Sequence, residues 1–183
     1  MVDHLVHQAF TDPLTTLPNR ALFNDRLTQA LARARRRTGV VAILFLDLDD
    51  FKEVNDRFGH HAGDELLKLV ADRLRGCVRT EDTVARFGGD EFVILLEDEH
   101  DSEEVTRVAH RILEHFTSSF ELADEVVRVV PSIGVAFDVS GRDEPHELLR
   151  EADRAMYEAK RRGTGGYVIA GANLSGATEI RES

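Results

Sequence analysis

Val40 to Leu46 reads Val-Val-Ala-Ile-Leu-Phe-Leu, a β-prone run with no polar side chain. A strand with one wet face alternates apolar and polar residues. An unbroken run belongs to a strand covered on both faces. The run is also far too short to span a bilayer. The chain must therefore supply helices for two faces of a sheet. Phe92 to Leu96, Phe-Val-Ile-Leu-Leu, makes the same demand.

The helices are legible around these runs. Leu22, Phe23, Leu27, Ala30, Leu31 and Ala34 recur at three- and four-residue spacing. Asn19, after Pro18, is the expected cap of that helix and Gly39 its expected end. Phe51 to Phe58 predicts a short helix stopped by Gly59. Leu66, Leu67, Val70, Leu74, Cys77 and Val78 share one face of a long helix, with Asp64 in its first turn. Asp101-Ser102 caps a helix with the stripe Val105, Val108, Ala109, Ile112, Leu113, Phe116. Pro145 opens the last helix, whose inner face is Leu148, Leu149, Ala152, Met156 and Ala159. Phe120 to Phe137 predicts two or three strands, with a turn at Asp124-Glu125 and Pro131 at a bulge or an edge. Tyr167 to Ala170 predicts a last short strand. Strands and helices in this order predict an α/β sandwich of α+β type.

Composition bounds the rest. At 183 residues and 42% apolar, the chain reads as one soluble globular domain. A net charge of −11 argues against a nucleic-acid polymer as partner. It leaves a nucleotide open, because a bound cation can supply local positive charge. Arg33, Arg35, Arg36 and Arg37 fit the C-terminal end of a helix. Cys77 is the only cysteine, so neither an intrachain disulfide nor a thiolate zinc site is available. With no visible signal peptide or membrane span, the chain reads as cytoplasmic, or as the cytoplasmic piece of a larger protein.

The chemistry-bearing stretch is Arg86-Phe87-Gly88-Gly89-Asp90-Glu91-Phe92, with strands expected over Thr83 to Phe87 and Phe92 to Leu96. Gly-Gly permits a tight hairpin with positive φ and leaves room beside the main chain. Asp90 and Glu91 then stand together on a rigid turn. Taken alone, this is more readily an ordinary solvated turn. A second acidic group changes that balance. The run ending at Leu46 leads directly into Asp47-Leu48-Asp49-Asp50. Period 2 turns Asp47 and Asp49 the same way, and like charges there repel without a cation. A helical crossover separates the two runs, so their strands can lie near each other in one sheet. Asp47 and Asp90 can then share one metal site.

Several stretches together resemble the GGDEF domain of diguanylate cyclases. They are Asp12 to Arg20, Phe45 to His60, Gly63-Asp64, Arg86 to Phe92, Ser132-Ile133-Gly134 and Ala152 to Lys160. Each is weak alone; all in register are specific. The resemblance implies a nucleotidyl-cyclase fold, similar to the polymerase palm, with a mainly antiparallel central sheet of about five strands. It covers residues 12–170, between a lead-in at 1–11 and a flexible tail at 171–183. The lead-in could be the end of a signalling helix. It implies condensation of two GTP to cyclic di-GMP and two pyrophosphates across a homodimer.

Carried over by position, Asp47, Leu48 (through its carbonyl), Asp90 and Glu91 would hold two Mg²⁺ or Mn²⁺ ions per half-site. Asp90, Glu91 and Lys52 would serve catalysis, Glu91 by binding the second cation or helping deprotonate the 3′-hydroxyl. Asn55 and Asp64 would read guanine, with His60 near the pocket. Lys52, Lys160 and main-chain amides around Asp50 and Phe51 would contact phosphates. Arg79 and Asp82 match an R-x-x-D site at which cyclic di-GMP inhibits; a surface ion pair is the plain alternative. Gly163-Thr164-Gly165 departs from the family's Gly-Arg-Asn and removes a phosphate-binding arginine unless Arg161 or Arg162 replaces it. The resemblance thus leaves a second reading, a catalytically weak module that binds GTP or cyclic di-GMP to regulate a fused or partner domain. A fused sensor or EAL domain is expected in the parent protein.

Overall fold

The computed structural model describes residues 9–36, 39–99, 102–122, 125–138, 144–163 and 165–171. From Arg20 on, the described residues form, in order, α1 (Arg20–Ala34), β1 (Val40–Leu48), α2 (Phe51–Phe58), α3 (His60–Arg75), β2 (Thr83–Gly88), β3 (Glu91–Glu99), α4 (Ser102–His115), β4 (Phe120–Leu122), β5 (Glu125–Val127), β6 (Pro131–Asp138), α5 (Pro145–Arg162) and β7 (Tyr167–Ile169). Arg37, Asp101, Asp124 and Thr164 lie outside the described residues, as do 1–8 of the lead-in and 172–183 of the tail.

The main sheet has the order β2-β3-β1-β6-β7. β1 is central and pairs antiparallel with β3 and with β6. β7 is the one parallel addition to that sheet, and β4 and β5 form a separate two-stranded ribbon. The apolar run explains why β1 is in the middle. Ala42, Leu44, Leu46 and Leu48 face α2, α3 and α4, packing with Val54, Leu66, Val70, Leu74 and Ile112. Val41, Ile43 and Phe45 face α1 and α5, packing with Phe23, Leu27, Leu148 and Met156. The result is an α+β sandwich with helices on both faces of one sheet.

The local signals mostly hold. The Asn19 side chain accepts from the amides of Ala21 and Leu22 and caps α1. Gly59 separates α2 from α3 with φ 85°. Three expectations are corrected. α1 ends at Ala34, five residues before Gly39; there the Arg35 amide donates to the Leu31 carbonyl and the Arg36 amide to the Arg33 carbonyl. Asp64 is the fifth residue of α3, beyond the first turn where a helix dipole acts most strongly. Pro131 makes neither a bulge nor an edge strand. It opens β6 opposite Leu48 in unbroken register, ahead of Ile133 where β7 begins to pair, a position at which a missing N–H costs little. Of the turn expected at Asp124-Glu125, Asp124 lies outside the described residues, and Glu125 already pairs with Leu122 as the first residue of β5.

Candidate active site

The hairpin strands are longer than the sequence predicts, and they leave only Gly89 and Asp90 as the turn. Gly88 pairs with Glu91 across it. Gly88 has φ 138° and Gly89 φ 50°, values that L side chains rarely adopt. A Cβ on either would meet no atom within 4 Å, so the space beside this turn is open.

β1 delivers the other carboxylates. Asp47 stands opposite Glu91 in the β1–β3 register. The Leu48 amide donates to the Asp90 carbonyl at 3.3 Å, which closes the hairpin tip onto the end of the central strand. Asp47, Asp90 and Glu91 thus meet at one end of the sheet. Burial, then the neighbouring Asp47, pushes the Asp90 carboxyl above its ordinary value. Burial also raises Glu91, assisted by Asp47, Asp153 and Asp90 and opposed by Arg20. Lys160 of α5 pairs with Asp47, and that hydrogen bond raises the Lys160 ammonium above its usual range.

Asp49 and Asp50 do not join this cluster in the same way. The Asp49 carboxylate is buried and accepts from Ser132 Oγ at 2.8 Å and from the Gly165 amide at 3.1 Å. It ties the end of β1 to β6 and to the turn after α5. Asp50 is exposed and left-handed, with φ 61°. Its carbonyl accepts from the Glu53 amide at 3.0 Å. The amides of Phe51 and Lys52 are left at the open N-terminus of α2, where an anion is favoured.

α2 and α3 carry the remaining candidates. Asn55 is partly buried; Lys52, His60 and Asp64 are exposed. Gly63 lies directly against the Asn55 amide, which sets Asn55 of α2 beside the residue that precedes Asp64 in α3. Arg79 and Asp82 are elsewhere, in the link between α3 and β2. Their arrangement is not a simple surface ion pair. Asp82 is buried, and its Oδ2 accepts from the Arg79 amide at 2.8 Å. Burial pushes its carboxyl up, against hydrogen bonds from main-chain amides. The Arg79 guanidinium reaches Glu104 at 3.5 Å. Arg161 and Arg162 line an outer groove with Tyr157, Glu158 and Val168, to which Asp47, Asp90 and Glu91 contribute nothing.

Sequence reasoning missed the parts that hold the hairpin. Arg86 donates to Asp12 at 2.9 and 3.1 Å and to the Gly89 carbonyl at 3.0 and 2.8 Å. Asp12 and Arg86 both lay inside matched motifs, which was the available signal. Asp49 was read as a companion of Asp47 and Gly165 as part of a departure from the family pattern; their link through Ser132 carried no local signal.

A family model described as the GGDEF domain of diguanylate cyclases matches residues 9–166. The chain belongs to the GGDEF-domain family. Its GGDEF domain is 45% identical over 163 residues to the bifunctional diguanylate cyclase/cyclic di-GMP phosphodiesterase MucR of Pseudomonas aeruginosa, covering 89% of this chain and 24% of MucR. It is 44% identical over 170 residues to diguanylate cyclase TpbB of the same organism, covering 92% of this chain and 39% of TpbB. The chain therefore spans well under half the length of these curated relatives. The solved GGDEF domain of TpbB superposes with a TM-score of 0.85 at 43% identity, covering 87% of this chain and 94% of that one.

Among the described residues, no three His, Cys, Asp or Glu side chains form a group that could hold a metal ion by itself. A hard cation such as Mg²⁺ generally takes one or two protein carboxylates and completes its shell with water and substrate phosphates. Asp47 and Asp90 offer such a pair of hard oxygen donors, and their mutual repulsion favours a cation between them.

Proposed function

We propose that this GGDEF domain is a diguanylate cyclase: it condenses two GTP into cyclic di-GMP and two pyrophosphates, each subunit of a homodimer holding one GTP. The observation that carries this reading is the meeting of Asp47, Asp90 and Glu91 beside an open glycine turn. Bound there through Asp47, the Leu48 carbonyl and Asp90, divalent cations such as Mg²⁺ would neutralise the triphosphate and stabilise charge developing at the α-phosphate.

The protein's own groups have separate tasks. Lys160 exchanges its Asp47 partner for phosphate oxygens, and Lys52 and the first amides of α2 contact the same chain of phosphates. Glu91, whose carboxyl is raised by burial and acidic neighbours, accepts the proton of the attacking 3′-hydroxyl. Asn55 and Asp64 hold guanine, the Asp64 carboxylate accepting from its N1 and N2 donors. Adenine has no such pair and would leave that acceptor unmatched. Arg79, presented on the turn that Asp82 braces, binds the product and inhibits. The acidic Asp47 and Asp90 suit a bound cation, and the Lys160 ammonium that now pairs with Asp47 suits the polyphosphate.

A catalytically weak regulatory module is the second reading. It is favoured by one feature: the phosphate-binding arginine expected after α5 is absent, and Arg161 and Arg162 point to an outer groove. Incubation with GTP and Mg²⁺ separates the two. Cyclic di-GMP among the products supports the cyclase; GTP bound without product at high protein concentration supports the module. The relatives are longer proteins, one of them named as bifunctional, so a fused sensor or EAL domain is proposed for the parent.

A further inference from the structure

Gly63 is a buried residue of α3. A Cβ built on it would stand 1.9 Å from Asn55 Oδ1, 3.0 Å from Asn55 Cγ and 3.3 Å from Phe51 Cζ. The first distance is impossible for real atoms, so something must move. The obstructing atom is the far end of a flexible side chain. Backbone atoms of α2 do not stand in the way. The cost of a methyl at Gly63 therefore falls first on the orientation of Asn55, with the Phe51 ring yielding by a few tenths of an ångström. Gly63 itself is helical and does not require a positive φ. Neither turn geometry nor helix propensity explains a glycine inside a 16-residue helix, where alanine is the better former.

No hydrogen bond within the described residues engages the Asn55 side-chain amide. The protein contact that bears on this partly buried side chain is packing, and Gly63 lies directly against it. We infer that Gly63 is a positioning residue for nucleotide recognition: its missing Cβ creates the seat that aims the Asn55 amide at the base. The inference rests on the reading of Asn55 as a guanine contact. A side-chain amide that must meet a base edge tolerates little misplacement, because hydrogen bonds weaken steeply with angle and distance.

The test is calorimetric binding of 3′-deoxy-GTP with Mg²⁺, a ligand without the attacking hydroxyl, together with thermal unfolding. Gly63→Ala should weaken binding about two- to tenfold, the range for one lost hydrogen bond, with an unfolding midpoint unchanged or raised. Asn55→Ala should weaken it by a similar factor, and the double variant should bind no more weakly than Asn55→Ala alone. Normal binding by Gly63→Ala beside weakened binding by Asn55→Ala overturns the inference and leaves the guanine reading standing. Normal binding by Asn55→Ala removes the guanine reading itself. Losses that multiply in the double variant overturn the inference, because Gly63 would then act by another route. Should Gly63→Ala fail to fold, the double variant decides: removal of the obstructing amide restores folding if the clash is with Asn55, and persistent unfolding contradicts it.

Discussion

Arg86 grips both carboxylate oxygens of Asp12 across 74 residues of chain. With its remaining nitrogens it holds the Gly89 carbonyl. One guanidinium thus fastens the glycine turn to the segment that leads into α1. The pair is largely shielded, with side chains 11% and 14% exposed. The planar fork of arginine suits such bidentate contacts. Arg86→Ala should therefore cost about 2–4 kcal/mol in urea denaturation, near the range for breaking a buried pair. A loss below about 0.5 kcal/mol, the size of an ordinary surface change, would show that the clamp is not structural.

The same pair gives a pH dependence. Burial alone would raise the Asp12 carboxyl, but hydrogen bonds from Thr15 and Arg86 and the Arg86 charge outweigh it, and the net shift is below the ordinary 3.8. A depressed carboxyl contributes stability that is complete above the unfolded value and is lost as pH falls through the folded one. The stability advantage of the wild type over Asp12→Asn should thus be full above about pH 5 and shrink as pH drops below 3.8. A difference that is flat from pH 7 to 3 would contradict this.

Gly134 is a contrasting case to Gly63. A Cβ there would stand 1.9 Å from the Ala152 carbonyl and 2.1 Å from the Met156 amide. These are backbone atoms of α5, which cannot yield without moving the helix off β6. Gly134→Ala should destabilise by about 3 kcal/mol or more, the upper range for overpacking. Chemical denaturation measures it.

Arg79 separates stability from regulation. Its side chain is half-exposed, where ion pairs contribute little, so Arg79→Ala should shift stability by less than about 1 kcal/mol. Inhibition of the cyclase by added cyclic di-GMP should be relieved. An unchanged inhibition curve would remove the inhibitory-site assignment.

The sequence carried the layers of the fold because periodicity and burial are local signals. The unbroken Val40–Leu46 run demanded two covered faces, and β1 has them. Asn19 and the Gly88-Gly89 pair announced a cap and a turn through conformational preference alone. Contacts between distant segments were not legible in that way. Nothing local says that Asp49 is buried against Ser132 and Gly165. Nothing local says that Lys160 reaches back to Asp47. The motif resemblance named the residues at the site, but the brace formed by Asp12 and Arg86 emerged only from the folded chain. Pro131 misled because proline is scarce within strands; its place at the first residue of β6 avoids the difficulty.

The central claim is that Asp47, Asp90 and Glu91 form one half of a cyclase centre completed by a second subunit. The most direct measurement is the initial rate of cyclic di-GMP formation from GTP and Mg²⁺ as protein concentration is raised, for the wild type and for Asp90→Ala and Glu91→Gln. The wild-type rate should rise more steeply than protein concentration, and both variants should lose at least about a hundredfold, as for removal of a group that acts at the reacting atoms. Variants that retain the wild-type rate would contradict the assignment of these carboxylates, and a rate strictly proportional to protein at all concentrations would contradict a site shared between subunits.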